Sequence, residues 1–396
     1  MFKDRRVVLT LVVCQALFQT GGVLMATVGG LAGLQLAPDP ALATLPIAMV
    51  PLGAACATIP ASLIMNRIGR RRGFVTGALI GAVGGFMATA SVFLESFLLL
   101  CLGTFLIGMY QGCSQFYRFA AAEAAPPHQK AKALSLVLTG GVIAAVAGPY
   151  LGAWTQDALT VAYAGSFLVL PVLSLTAAAI LASTPFPPMH EKGVVSAPPR
   201  PLIDIVRQPR FIAAVGSAGI AFWIMSLAMT ATPISMAGHH HPVSAAAAVI
   251  QWHVLGMYVP SFFSGWLIRK LGVARLMFLG VMLLSLHVVI ASTGWAFLSY
   301  VSALTALGVG WNFLYVGGST LLTETYTPSE RGKAQAANDF TVIGVSASAA
   351  FSAGALHDLL GWRGLNFSFI PLLIFIGLAI LAVSYRARRP AQASPA

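Results

Sequence analysis

Runs of 18 to 25 predominantly apolar residues recur from one end of this chain to the other, divided by short polar stretches. At a rise of 1.5 Å per residue, each run is long enough for a helix to cross a hydrocarbon core about 30 Å thick. Twelve such spans are predicted, near 7–32, 41–64, 74–94, 97–119, 133–155, 158–182, 211–236, 244–268, 275–293, 295–322, 335–356 and 364–385.

The polar stretches divide the spans into two sets of six. Between the sixth and seventh lies STPFPPMHEKGVVSAPPRPLIDIVRQPR, rich in proline and charge and too polar to enter a bilayer. The expected organisation is a bundle over 1–182, a cytoplasmic linker over 183–210 and a second bundle over 211–396. The halves repeat at an offset near two hundred residues. EAAPPHQKAKA from Glu123 aligns with ETYTPSERGKA from Glu324, setting Lys130 against Arg331 and Lys132 against Lys333. NRIGRRR, starting at Asn66, aligns with RKLGVAR, starting at Arg269, with Gly69 opposite Gly272. A six-plus-six repeat with basic, glycine-containing hairpins resembles the major facilitator superfamily. That resemblance implies an all-α membrane protein of twelve transmembrane helices in two pseudo-symmetric six-helix bundles, giving alternating access to a midplane site.

Composition agrees: 58% of the 396 residues are hydrophobic and 9% charged, against about 25% charged in soluble proteins. The net charge of +12 points to membrane topology rather than nucleic acid, because the basic residues obey the positive-inside rule. Arg67, Arg70, Arg71, Arg72, Arg118, Arg269, Lys270 and Arg275 fall on the expected cytoplasmic side, and Arg363 alone falls outside. The first span lacks a cleavage site and is expected to be retained. A bacterial inner-membrane location is expected, with both termini cytoplasmic, the lipid bilayer as partner and a monomeric state. The four cysteines show no metal-binding or redox spacing. No enzymatic activity and no cofactor is expected.

Ionisable residues inside a membrane are candidate functional groups because their burial is costly, and this chain has few. Asp339 sits about one turn inside the eleventh span, and with Arg118 it is expected to hold or gate the bundles. Asn66, Arg67, Arg70 and Glu123 join this gating or coupling set. The superfamily loop motif usually has glycine and aspartate where this chain has Ser62 and Asn66. Drug exporters of this type usually carry an arginine three residues before a Gln-Gly pair, whereas Gly108 precedes Gln111-Gly112 here.

With no carboxylate at mid-span, softer side chains come forward. Met225 and Met229 on the seventh span, and His253 and Met257 on the eighth, stand four apart and so share a helix face. Thioether and neutral imidazole suit Cu(I), whereas hard cations prefer oxygen. The motifs MSLAM and HVLGM resemble the CcoA-like copper importers. The resemblance implies uptake of copper, as Cu(I), as transported substrate for assembly of cbb3-type cytochrome oxidase, with Met225, Met229, His253 and Met257 as ligands. His239, His240 and His241 in the outward loop, with Met236 one turn below, are either a collecting mouth for that ion or a solvated turn closed by Pro242. Met49 with Cys56, and Met109 with Cys113, are candidate ligands from the first half. The alternatives are an importer of an organic solute such as riboflavin, stacked on Phe222, Trp223, Trp252, Tyr258 and Trp311, and a proton-coupled drug exporter.

Overall fold

The computed structural model describes residues 5–39, 42, 45–186 and 199–388. The middle of the predicted linker, 187–198, lies outside the described residues. The apolar runs fold into helices throughout, and no strand occurs among the described residues. In chain order these are α1 (Arg5–Leu36), α2 (Leu45–Ile68), α3 (Arg70–Phe93), α4 (Phe97–Ser114), α5 (Tyr117–Glu123), α6 (Lys130–Leu138), α7 (Gly140–Thr155) and α8 (Ala164–Ala182). The short α9 (Leu202–Val206) precedes α10 (Pro209–Gly238), α11 (Val243–Tyr258), α12 (Ser261–Leu271), α13 (Val273–Thr293), α14 (Phe297–Leu322), α15 (Arg331–Phe367) and α16 (Ile370–Arg388).

Among the described residues, ten stretches are long and apolar enough to cross a membrane. The difference from twelve has local causes. The eighth predicted span is interrupted at Val259 and Pro260; proline has no N–H to offer the helical ladder, leaving pieces of 16 and 11 residues. The eleventh and twelfth spans run together as one stretch, Arg331–Ser384, interrupted at Gly361, whose φ of 64° is left-handed. The repeat is visible in the backbone. Gly69 and Gly272, matched in the sequence, both take φ 88° and lead into α3 and α13, a region that side-chain-bearing residues adopt at a cost.

The chain forms two compact units. The first takes the described residues of Met1–Ala197 together with Gln335–Ile343; the second takes those of Pro198–Ala334 and Gly344–Ala396. Within the first, α4 packs on α2 and α3, α3 also packs on α8, and α1 packs on α7 and α8. Within the second, α14 is the common partner of α10, α11 and α13. Close approach of the helices rests on small residues, as expected where lipid supplies no hydrophobic drive between them. A Cβ on Gly103 would stand 2.7 Å from the Gly84 carbonyl oxygen, and one on Gly310 would stand 2.9 Å from that of Gly280.

The far end of the linker is tied to the second unit. Arg200 donates from Nε and Nη2 to the two oxygens of Glu330 at 2.6 and 2.7 Å, and from its backbone N–H at 2.9 Å. Hydrogen bonding from Arg200 holds the Glu330 carboxyl well below the usual carboxylate range.

Candidate functional site

Four aromatic side chains of the second unit come together on α10, α11 and α14. Trp311 and Tyr315 lie one turn apart on α14 and stack at 4.8 Å and 28°. Phe222 of α10 meets both edge-on, at 5.1 and 5.2 Å, and Tyr258, at the end of α11, approaches Trp311 at 6.2 Å and 79°. Trp311 and Tyr315 are buried, whereas Phe222 and Tyr258 are half-buried and form the accessible edge of the group. The Trp311 indole N–H is buried without a partner, as is Oδ1 of the adjacent Asn312. Unmade hydrogen bonds of this kind cost free energy in an apolar setting and suit a ligand that carries polar atoms on a flat ring.

Asn312 explains how α11 is held here. Its Nδ2 donates to the Met257 carbonyl at 2.7 Å and to Ser261 Oγ at 2.6 Å, bracing the chain on both sides of the interruption at Pro260. His253, fully buried, donates from Nδ1 to the Leu304 carbonyl at 2.8 Å. On the other flank of α14, His287 of α13 donates to the neighbouring Ala303 carbonyl at 2.9 Å. Both imidazoles therefore fasten a helix to α14.

Of the aromatic residues expected to stack on a planar ring, Phe222, Tyr258 and Trp311 come together. Trp252 is 53% exposed and Trp223 half-buried, and neither makes a ring contact among the described residues. Tyr315 and Asn312 were missed, although the four-residue step from Trp311 to Tyr315 was a usable signal.

The outward histidines are engaged in the loop itself. His239 stacks on Trp295 at 3.9 Å and 14°, and its Nδ1 donates to the Ser235 carbonyl at 2.8 Å. His241 donates from Nε2 to the Trp295 carbonyl at 2.7 Å. The Arg363 guanidinium also lies over Trp295, 5.1 Å from the ring centre. His240 takes φ 61° at the tip of the turn, and Met236 is fully buried below it. In the first unit, Cys56 is exposed while Cys113 is buried against Gly77 of α3. Met49 and Met109 are half-buried. All four cysteines are free thiols.

The first unit gathers its charged side chains into two clusters. Arg70 donates to the Glu123 carboxylate at 2.8 and 3.3 Å and to Gln335 Oε1 at 2.7 Å, while Gln335 Nε2 donates back to Glu123 at 3.2 Å. Arg118 and Asp339, each 2% exposed, form an ion pair. Arg118 also donates to the carbonyl and side-chain oxygens of Gln115 at 2.9 Å. Its guanidinium lies 4.3 Å from the centre of the Phe119 ring. These contacts hold Gln335–Ile343 in the first unit. Asn66 is half-buried and Arg67 exposed; neither joins a cluster.

The family description "Major Facilitator Superfamily" matches residues 9–250 and 214–396. This chain belongs to the major facilitator superfamily. Among curated members, it is 42% identical over 374 residues to the riboflavin transporter RfnT of Brucella anthropi, an alignment covering 94% of each chain. It is 29% identical over 350 residues to the uncharacterised transporter YdeG of Bacillus subtilis, covering 84% of this chain and 80% of YdeG. Among solved superfamily structures, it superposes on the Escherichia coli fucose:proton symporter FucP with a TM-score of 0.78 and 15% identity, covering 96% of this chain and 98% of FucP. A bacterial homologue of ferroportin in its outward-facing state gives 0.73 and 13%, covering 96% and 99%. These two likenesses concern the fold. Superfamily members are transporters, and the membrane-spanning helices of this chain fit that role.

The copper-import reading is overturned by the riboflavin transporter, a relative aligned over nearly the whole chain. The resemblance to CcoA-like importers, and with it a part in cbb3 oxidase assembly, falls for the same reason. Met225, His253 and Met257 also have a packing explanation, and Met229 is half-buried. Met225 and Met257 are buried, His253 turns to α14, and α10 and α11 each rest mainly on α14 rather than on one another. Among the described residues, no three His, Cys, Asp or Glu side chains come together as a metal-holding group. The arginine of drug exporters has no room at Gly108, where even a Cβ would collide with the Val50 carbonyl oxygen of α2.

Proposed function

We propose that this chain imports riboflavin, or a closely similar planar heteroaromatic solute, by alternating access. The observation that carries this reading is the 42% identity to a riboflavin transporter across 94% of both chains. The aromatic group of Phe222, Tyr258, Trp311 and Tyr315 supports it. A flat, electron-poor ring system stacks on such side chains, and the unpartnered indole N–H of Trp311 can donate to a ring carbonyl or nitrogen. The reading places twelve crossings in a bacterial inner membrane, with both termini on the cytoplasmic side, on the basis of the basic loop residues. The Arg70–Glu123–Gln335 and Arg118–Asp339 clusters, which hold the start of α15, serve the gating or coupling role at that side.

The test is uptake of radiolabelled riboflavin by a riboflavin-auxotrophic bacterium expressing the intact chain, and by liposomes containing the purified protein. Uptake above the empty control is expected. Trp311→Ala should lower it about tenfold, the equivalent of one lost stacking partner at about 1.4 kcal/mol. Absence of both uptake and riboflavin binding by correctly inserted protein overturns the reading.

A further inference from the structure

At the start of α1, Arg5 and Arg6 stand side by side and exposed. Neither forms an ion pair among the described residues. A groove of about 480 Å³ leads from them along the outside of the first unit, walled by Leu9, Thr10 and Val13 of α1 and by Ile180 of α8. Arg5, Leu9 and Val13 recur every four residues and so form one stripe, with Val13 about 12 Å beyond Arg5 along the helix. Leu9 and Val13 are 50% and 46% exposed. The Thr10 hydroxyl is engaged with that of Thr184 at 3.1 Å, leaving the stripe above the arginines apolar in character. Arg71 donates to the Ala182 carbonyl, offsetting the negative end of α8 beside Ile180.

Two cations at one end of a shallow apolar channel match one ligand architecture, a phosphate joined to a hydrocarbon chain. We propose that this groove holds an anionic phospholipid of the leaflet on the basic side of the protein, with its phosphodiester on Arg5 and Arg6 and one acyl chain along Leu9, Val13 and Ile180. An anionic lipid fits best because, among the described residues, neither guanidinium is paired with a carboxylate. The headgroup amine of a zwitterionic lipid would offset the phosphate charge that attracts them. This site is independent of the solute the protein carries.

Native mass spectrometry of the purified full-length chain, titrated with phosphatidylglycerol and with phosphatidylethanolamine, tests the assignment. The intact protein should retain phosphatidylglycerol preferentially. The double variant Arg5→Gln/Arg6→Gln should weaken that adduct about fivefold or more and leave the phosphatidylethanolamine adduct unchanged. Ile180→Trp, which fills the groove and keeps both charges, should weaken it as well. Phosphatidylglycerol retention unchanged in both variants overturns the proposal. So does displacement of the lipid by equimolar glycerol phosphate, which would mark a phosphate site with no use for the acyl chain.

Discussion

One helix crossing is built twice in this molecule, and the two versions differ in an instructive way. In the first unit, α2 meets α4 at Gly53, Gly108 and Gly112. A Cβ on Gly108 would strike the Val50 carbonyl oxygen, and one on Gly112 would stand 2.7 Å from that of Ala54. In the second unit, α11 meets α14 at Gly256 and Gly308, and a Cβ on Gly308 would stand 2.5 Å from the His253 carbonyl oxygen. At the repeat offset of roughly two hundred residues, His253 takes the place of Val50, Met257 of Ala54, Ser261 of Thr58 and Asn312 of Gly112. Gln111 and Gln115 of the first unit become Trp311 and Tyr315. The glycines are common to both because the backbones need them. At these positions the imidazole and the aromatic rings belong to the second unit alone, where the first unit has valine and two glutamines, a difference that the crossing itself does not require.

The largest expected effect tests the other side of this contrast, the deeply buried charges of the first unit. Removing one member of a buried ion pair leaves the other uncompensated and costs about 3–5 kcal/mol. Asp339→Leu should therefore sharply lower the thermal unfolding temperature in detergent, and Arg118→Met added to it should recover most of the loss. If Asp339→Leu alone is harmless, the pair does not anchor the start of α15.

The next effect tests whether the two crossings are equivalent in their backbone. Gly108→Val and Gly308→Val each force a side chain into an opposing carbonyl and should each cost about 3 kcal/mol. Similar losses of monodisperse protein on size-exclusion chromatography would support one shared geometry. Tolerance of one substitution and not the other would dissolve the equivalence.

A smaller loss is expected from Asn312→Ala, which makes that position resemble Gly112. Interhelical hydrogen bonds in membranes are worth about 0.6 kcal/mol on average and seldom exceed about 1.7, and two are lost here, to Met257 and Ser261. The thermal midpoint should fall modestly. On the proposed function, riboflavin uptake should fall more than stability does, since Asn312 braces the end of α11 that carries Tyr258. Equal loss of both would make Asn312 a structural brace alone.

How far the sequence revealed these features depends on the range over which each is determined. The crossings are legible because about 20 apolar residues suffice to specify one. Gly69 and Gly272 are legible because a left-handed turn selects glycine locally. Pro260 stood in plain view as an interrupter, yet the two-piece eighth span was not anticipated. Orientation was not legible. The four-residue spacing of His253 and Met257 shows that they share a face, but which neighbour that face meets is settled by α14, some fifty residues further along. Met225 and Met229 misled for a related reason, since the same spacing suits a ligand pair and ordinary packing of a helix. Tyr315 was lost among other aromatics until Phe222, far away in sequence, was seen to touch it.

The smallest expected effect sharpens the comparison most. His253→Val rebuilds the second crossing with the first unit's own residue at that place. The substitution deletes the hydrogen bond to Leu304, worth about 0.6 kcal/mol in this setting. It also removes a buried Nε2 that has no partner, which returns part of that amount because an unsatisfied polar atom no longer needs burying. The two changes nearly cancel, so the thermal midpoint should move little and riboflavin uptake should persist. Uptake lost at an unchanged midpoint would show that the imidazole acts on the solute or on a proton, and that position 253 belongs with the specialised groups of the second unit. Uptake retained would leave His253 as the bolt that fastens α11 to α14.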